Sequence, residues 1–264
     1  FFSLMSAVTE HLGFVFTQSI LQEPPFNFAR RISTLDHITK GRVGWNIVTS
    51  HLASAAKNLG WDDLPEHDIR YAMAAEYLEV CGALWEKSWE DGAVLRDKQN
   101  RKYADGSKVH RINYEGKYYK VPGPHLSEPS PQRSPILFQA GSSEAGRQFA
   151  AANAEAIFLD SSTPLGAQQT IADVRKRAKA LGRNPEDILF FQGLTFVVGG
   201  TDEEAKRKDA SYREYLHEEA FAAQLSSAAG QDISAVDLNT PLEKIKTNTQ
   251  QGWLNSLRQS APDQ

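Results

Sequence analysis

Apolar residues recur along this chain at two alternating spacings. Residues 1 to 12 carry them at helical intervals, and Gly13 then turns the chain into Phe14-Val15-Phe16-Thr17, a short β-rich run suited to a buried strand. Polar Thr17, Gln18 and Ser19 mark its end. Pro24-Pro25 opens a second helical stretch from Phe26 to Ile38, and Lys40-Gly41 returns the chain to a strand over Arg42 to Val48. A long helix follows from about Glu66 to Trp89, with Tyr71, Ala75, Leu78, Cys81 and Trp85 on one face at spacings of three and four.

From Asp91 to Ser134 the regularity breaks, Gly, Pro, Lys and Asp become dense, and the alternating piece Ile112 to Tyr119 reads as a β-hairpin. The earlier rhythm then resumes: strand Ile136 to Gln139, helix Glu144 to Ala152, strand Ala156 to Leu159, helix Gln168 to Leu181, strand Ile188 to Val198. Thr201-Asp202-Glu203-Glu204 starts a charged helix that runs to Gln224, and the tail after Gln231 is polar and Pro-interrupted. Five apolar strands crossed over by helices predict a parallel sheet, covered on both faces or closed into a barrel, with its functional edge at the C-terminal strand ends. The organisation expected is one domain over 1–264, an insertion at about 91–134 and a loop-rich segment at about 225–264.

With 264 residues, 41% hydrophobic and 23% charged, the composition is that of a globular domain, and a net charge of −4 gives no pull towards nucleic acid. A single cysteine, Cys81, excludes an intrachain disulfide framework, and its place on the apolar face reads as a buried thiol. No apolar run approaches the roughly 20 residues that cross a bilayer, and the first residues lack a signal-peptide pattern. Cytoplasmic placement is the expectation. Opening on Phe1-Phe2 inside a helical pattern, without an initiator Met, the chain reads as a partial sequence.

Candidate chemistry collects where strands end. Gln139-Ala140-Gly141-Ser142-Ser143-Glu144 places small residues and two hydroxyls between a strand and a helix. This arrangement suits a phosphate monoester, and equally a plain Ser cap. Asn46 in Trp45-Asn46-Ile47-Val48-Thr49-Ser50-His51 both donates and accepts, as a pyrimidine-like ring edge requires, with Thr49, Ser50 and His51 around it; the same residues also make ordinary turns. Thr17 repeats this logic one strand earlier, and Tyr71 either faces the core or offers a hydroxyl to a ligand. His67 and Asp68 form a polar helix start. The seven His residues show no ligand spacing with carboxylates, so no metal site is expected, and no nucleophile elbow, P-loop or dinucleotide fingerprint occurs.

Three segments, ARRISTLDHITKGRVGWNIVTS, HDIRYAMAAEYLEVCGALWE and KYYKVPGPHLSEPSPQRSPILFQAGSSEAGRQFAA, together resemble the bacterial luciferase-like FMN-dependent monooxygenases, in the group of the nitrilotriacetate, dibenzothiophene-sulfone and long-chain alkane enzymes. The resemblance implies a (β/α)8 TIM barrel, here incomplete, with about strands three to seven. It implies a two-component system in which an NAD(P)H-dependent flavin reductase supplies FMNH2, and O2 reacts through a peroxyflavin to place one oxygen atom on a small organic substrate. Ser142 and Ser143 then match the FMN phosphate site, with Tyr71 reaching towards the phosphate or ribityl chain; Thr17, Asn46 and His51 match the isoalloxazine neighbours, with His51 the candidate catalytic group. A homo-oligomer is usual for such proteins. Loops shape the pocket walls, so the 91–134 segment, with Tyr103, His110, Tyr118 and Tyr119, is expected to set selectivity. A deazaflavin-dependent oxidoreductase of the same fold and a non-catalytic flavin-binding relative are the alternatives.

Overall fold

The structure, a computed structural model, describes residues 1–159, 161 and 163–215, together with 217, 219–220, 222–223, 226, 230, 232, 247–249 and 251–252. Helix α1 (Phe2–Ala7) leads into β1 (Phe14–Ser19), α2 (Pro25–Thr39), β2 (Val43–Val48), α3 (Ala53–Asn58) and α4 (His67–Gly82). Two small antiparallel pairs follow: β3 (Val94–Asp97) with β4 (Lys102–Ala104), and β5 (Tyr114–Glu115) with β6 (Lys120–Val121). The main rhythm returns with β7 (Ile136–Gln139), α5 (Glu144–Asn153), β8 (Ala156–Leu159), α6 (Pro164–Ala180), β9 (Leu189–Gln192) and α7 (Asp202–Arg213).

Strands β1, β2, β7, β8 and β9 form one sheet in that order, every pair parallel. Thr17 lies opposite Asn46, and Ile47 opposite Gln139, so the polar ends of three strands come out side by side. Helices α2 and α4 cover one face of β1 and β2. The core between them is aromatic: Phe28, Trp45 and Tyr77 are fully buried and pack ring against ring, with Trp85 beside Phe28. From the α4 side, Tyr77, Cys81 and Trp85 donate to the carbonyls of Glu23, Pro25 and Ala29 at the start of α2. Cys81 is thus a buried thiol, and burial raises its pKa further.

Where the expected elements differ, a local cause is visible. The first helix stops at Ala7 instead of Leu12, because the Arg42 guanidinium takes the carbonyls of Ser6, Thr9 and Leu12 and holds the segment off a helical path. Strand β9 ends at Gln192, not Val198: its partner β8 ends at Leu159, opposite Gln192, and no ladder continues beyond among the described residues. The hairpin pairs Tyr114 with Val121 and Glu115 with Lys120, slightly later than expected, since the Glu76 carboxylate gathers the backbone N–H groups of Lys117, Tyr118 and Tyr119 into the turn. The long helix continues past Gly82 as a π-helical turn over Ala83–Lys87, and its buried face is Arg70, Met73, Ala74, Tyr77, Val80, Cys81 and Leu84, with Ala75 and Leu78 half-buried. It packs against both α2 and α5, so a single stripe does not describe it. Helix α6 begins earlier, at Pro164, where Thr163 caps it through the Gly166 N–H at 3.1 Å. Helix α7 ends at Arg213; much of the stretch to Gln224, and most of 225–264, lies outside the described residues.

Candidate functional site

A cavity of about 490 Å³ opens at the C-terminal ends of β1, β2 and β7. Thr17, His51, Tyr71, Ser142 and Ser143 all line it. Asn46 sits just beneath, its amide nitrogen 3.1 Å from the Thr17 hydroxyl oxygen, to which it donates. That bond fixes the amide, and the Asn46 side-chain oxygen is left buried without a partner among the described residues. All six residues singled out in the sequence therefore converge at one place. Tyr103, His110, Tyr118 and Tyr119 do not line this cavity: Tyr103 bonds to Glu128, His110 to Glu90, and Tyr118 and Tyr119 are held through their backbone by Glu76.

His51 is positioned by a bend. Ser50 adopts a left-handed backbone (φ 65°), and its hydroxyl lies 2.7 Å from that of Ser19, tying the end of β2 to the end of β1. Burial first, and then the charge of Arg70, lowers the His51 pKa, so its imidazole is neutral near pH 7. Either ring nitrogen is then free to donate one hydrogen bond.

At the opposite wall stands the N-terminus of α5. Ser143 is its cap, accepting from the Gly146 N–H at 3.1 Å, and both serines face the cavity. Tyr71, from the first turns of α4, reaches this helix end, with Ser143, Thr49 and Gln139 close to its hydroxyl. It gets there because two residues lack a side chain. A Cβ on Gly141 would lie 2.4 Å from the Tyr71 hydroxyl, and one on Gly146 2.8 Å from it. Burial raises the Tyr71 pKa, so the phenol stays protonated and serves as a neutral hydrogen-bonding group.

The cavity also holds residues to which the sequence reading gave no role. Arg70 is almost fully buried and lines the cavity; its guanidinium donates to the carbonyls of Pro65 and Asn248, while its Nε has no partner among the described residues. No carboxylate pairs with it among the described residues, and desolvation lowers its pKa. A buried cation held only by carbonyls favours an anionic ligand. Its signal was its position three, four and seven residues before Met73, Ala74 and Tyr77, on the apolar face, where a surface arginine does not belong. Gln139 ends β7 facing the same cavity. Thr249, Gln251 and Gly252 come from far along the chain; Gly252 lies against Ser142 and Ser143, and Asn248 accepts from the His67 N–H at 2.7 Å. No local pattern announces such a contact.

The model of the family described as luciferase-like monooxygenase matches residues 1–261. The chain belongs to this family. Among relatives, it is 52% identical over 243 residues to the long-chain alkane monooxygenase of Geobacillus thermodenitrificans, covering 92% of this chain and 55% of that protein. It is 49% identical over 255 residues to the dimethyl-sulfide monooxygenase of Hyphomicrobium sulfonivorans, covering 97% and 53%. Among solved structures, that of a riboflavin lyase with modified FMN and riboflavin superposes with a TM-score of 0.91 at 39% identity, covering 96% of this chain and 57% of that one. The chain thus spans about half the length of these relatives. Its five parallel strands are an incomplete luciferase-like barrel, open among the described residues. No described helix is long and apolar enough to cross a membrane.

Proposed function

We propose that the protein is the oxygenase of a two-component flavin system: it takes FMNH2 from an NAD(P)H-dependent flavin reductase and uses O2 to place one oxygen atom on a small organic substrate. The observation that carries this reading is the single cavity joining an anion-binding helix end and a buried arginine to a floor of amide, hydroxyl and imidazole groups, in a luciferase-like monooxygenase. A cytoplasmic homo-oligomer is part of the same reading, as is a single domain with the 91–134 segment inserted.

The residues fit FMN. Ser142, Ser143, the first N–H groups of α5 and the Arg70 guanidinium suit a phosphate, and the Gly141–Gly146 gap admits the Tyr71 hydroxyl beside it. At the other end the unpartnered Asn46 oxygen and the Thr17 hydroxyl suit the polar rim of an isoalloxazine ring. Bound flavin supplies the oxygen chemistry. The chain's own residues anchor the phosphate, orient the ring rim against Asn46 and Thr17, and offer the neutral His51 as a hydrogen-bond donor near it. Ile47, Val48 and Leu52 bring an apolar lining that keeps water from the ring.

Anaerobic titration with FMNH2, followed by mixing with O2, tests this. Saturable binding that Ser142→Ala/Ser143→Ala weakens at least tenfold, with O2 uptake on mixing, is the expected result. If the protein binds no reduced flavin, the reading is wrong.

A further inference from the structure

Arg147 is the fourth residue of α5, close to the end where the helix dipole disfavours a cation. It does not line the cavity described above. Ser142 borders both that cavity and a small void of about 20 Å³ next to α6, whereas Arg147 borders only the void, together with Thr170 and Val174 of α6. From there the guanidinium engages three partners through three nitrogens. Nη1 donates to the Ser142 carbonyl at 2.8 Å, and Nη2 donates to Glu144 Oε2 at 3.0 Å. Nε lies 2.8 Å from Asp173 Oδ2 as an ion pair, without the alignment of a hydrogen bond. Arg177 locks the same two carboxylates from α6, its Nη1 lying 2.6 Å from Glu144 Oε1 and its Nε 2.9 Å from Asp173 Oδ2.

Two arginines and two carboxylates carry no net charge between them, so the cluster offers an anion little field. What it offers is orientation. In a trans peptide the C=O and the following N–H point opposite ways, so with the Ser142 carbonyl drawn to Arg147 the Ser143 N–H turns towards the cavity. Gly252 on the cavity wall agrees with that direction: a Cβ there would lie 3.0 Å from the Ser143 nitrogen. We infer that Arg147 is a positioning residue, braced by Glu144 and by Asp173 and Arg177 of α6, which fixes the Ser142–Ser143 peptide with its N–H aimed at the anion end of the cavity. This rests on the flavin reading above and adds to it a residue that touches no ligand.

The test separates orientation from charge. Arg147→Met/Asp173→Asn removes one charge of each sign, so the cluster stays neutral, and it leaves Arg177 an acceptor at position 173 while the hold on the Ser142 carbonyl is lost. Reduced FMN and reduced riboflavin, which differ by the phosphate alone, are titrated anaerobically into parent and variant, with thermal midpoints to confirm folding. In the parent, FMN should bind more tightly than riboflavin. In the variant, FMN should weaken about tenfold, as misplacing one hydrogen bond to a charged group requires, while riboflavin binds as it does to the parent. An unchanged FMN affinity means that Arg147 acts by its charge or not at all, and overturns the inference. Equal losses for both flavins mean a general structural role and also overturn it, as does a parent that binds the two flavins equally. A parent that binds neither would instead remove the flavin reading itself, a separate outcome.

Discussion

At the scale of single residues, the site is built on missing atoms as much as on present ones. Gly141 and Gly146 are small here for lack of room rather than for backbone conformation: neither is in the left-handed region, but a Cβ on Gly141 would meet both Tyr71 and Gln139 at 2.4 Å. Gly141→Ala should therefore destabilise the protein by about 1–3 kcal/mol through overpacking. Adding Tyr71→Phe, which removes the hydroxyl in the way, should restore part of that loss, so the pair is non-additive in a denaturation cycle. Simple additivity would mean that the hydroxyl is not what the glycine accommodates. The two adjacent serines separate in the same kind of measurement. Ser143 caps α5, so Ser143→Ala should cost about 1 kcal/mol of stability as well as phosphate affinity. Ser142 caps no helix, and Ser142→Ala should leave the unfolding midpoint nearly unchanged while still loosening FMN.

At the scale of elements, the excursion between α4 and β7 is fastened by buried polar groups. The His125 ring nitrogen Nε2 lies 2.9 Å from the Ser33 hydroxyl of α2; its backbone N–H donates to Ser88 Oγ, and its carbonyl accepts from Trp89. Nδ1 has no partner among the described residues, and burial lowers the pKa from 6.5 to about 4. The folded state thus favours the neutral ring, while the unfolded chain binds the proton. Stability from this residue is complete above pH 6.5 and is lost as pH falls from 6.5 towards 4, by on the order of 3 kcal/mol. Thermal midpoints measured over that range should fall less steeply in His125→Gln; parallel slopes would assign the acid sensitivity elsewhere. Such fastenings also explain what the sequence conveyed. Strands β7 and β8 are legible to the residue because short apolar runs between turn signals set their own limits. The ends of β9 and of α1 are not, since one depends on where β8 stops and the other on Arg42, 30 residues away from Leu12. In the site, Asn46, Ser142 and Ser143 show themselves as polar residues at apolar strand ends. Arg70 shows itself only as a cation on the apolar face of α4, and Gly252 has no local signature.

At the scale of the whole molecule, the two faces of the sheet are treated unequally. On one, Phe14, Phe16, Trp45 and Ile157 are buried, chiefly beneath helices. On the other, Val15, Ile136, Phe158, Leu189 and Phe191 are each 38% to 60% exposed. Phe138, Phe158 and Phe191 pack ring to ring across β7, β8 and β9 with centroids 5.5–5.9 Å apart, and Gly44 on β2 leaves space that Val15 and Phe138 border. Alternation along each strand puts these side chains on one side, the inside of the arc, so they form a contiguous apolar surface rather than scattered exposures. A surface of that kind drives self-association in water. The 264-residue chain on its own should bind an apolar dye strongly and sediment as concentration-dependent oligomers. Phe158→Ser/Phe191→Ser should reduce both signals while leaving FMN affinity within about threefold, because neither residue lines the cavity. If the doubly substituted chain associates as strongly as the parent, another surface is responsible, and the inner face of the arc is already shielded in solution.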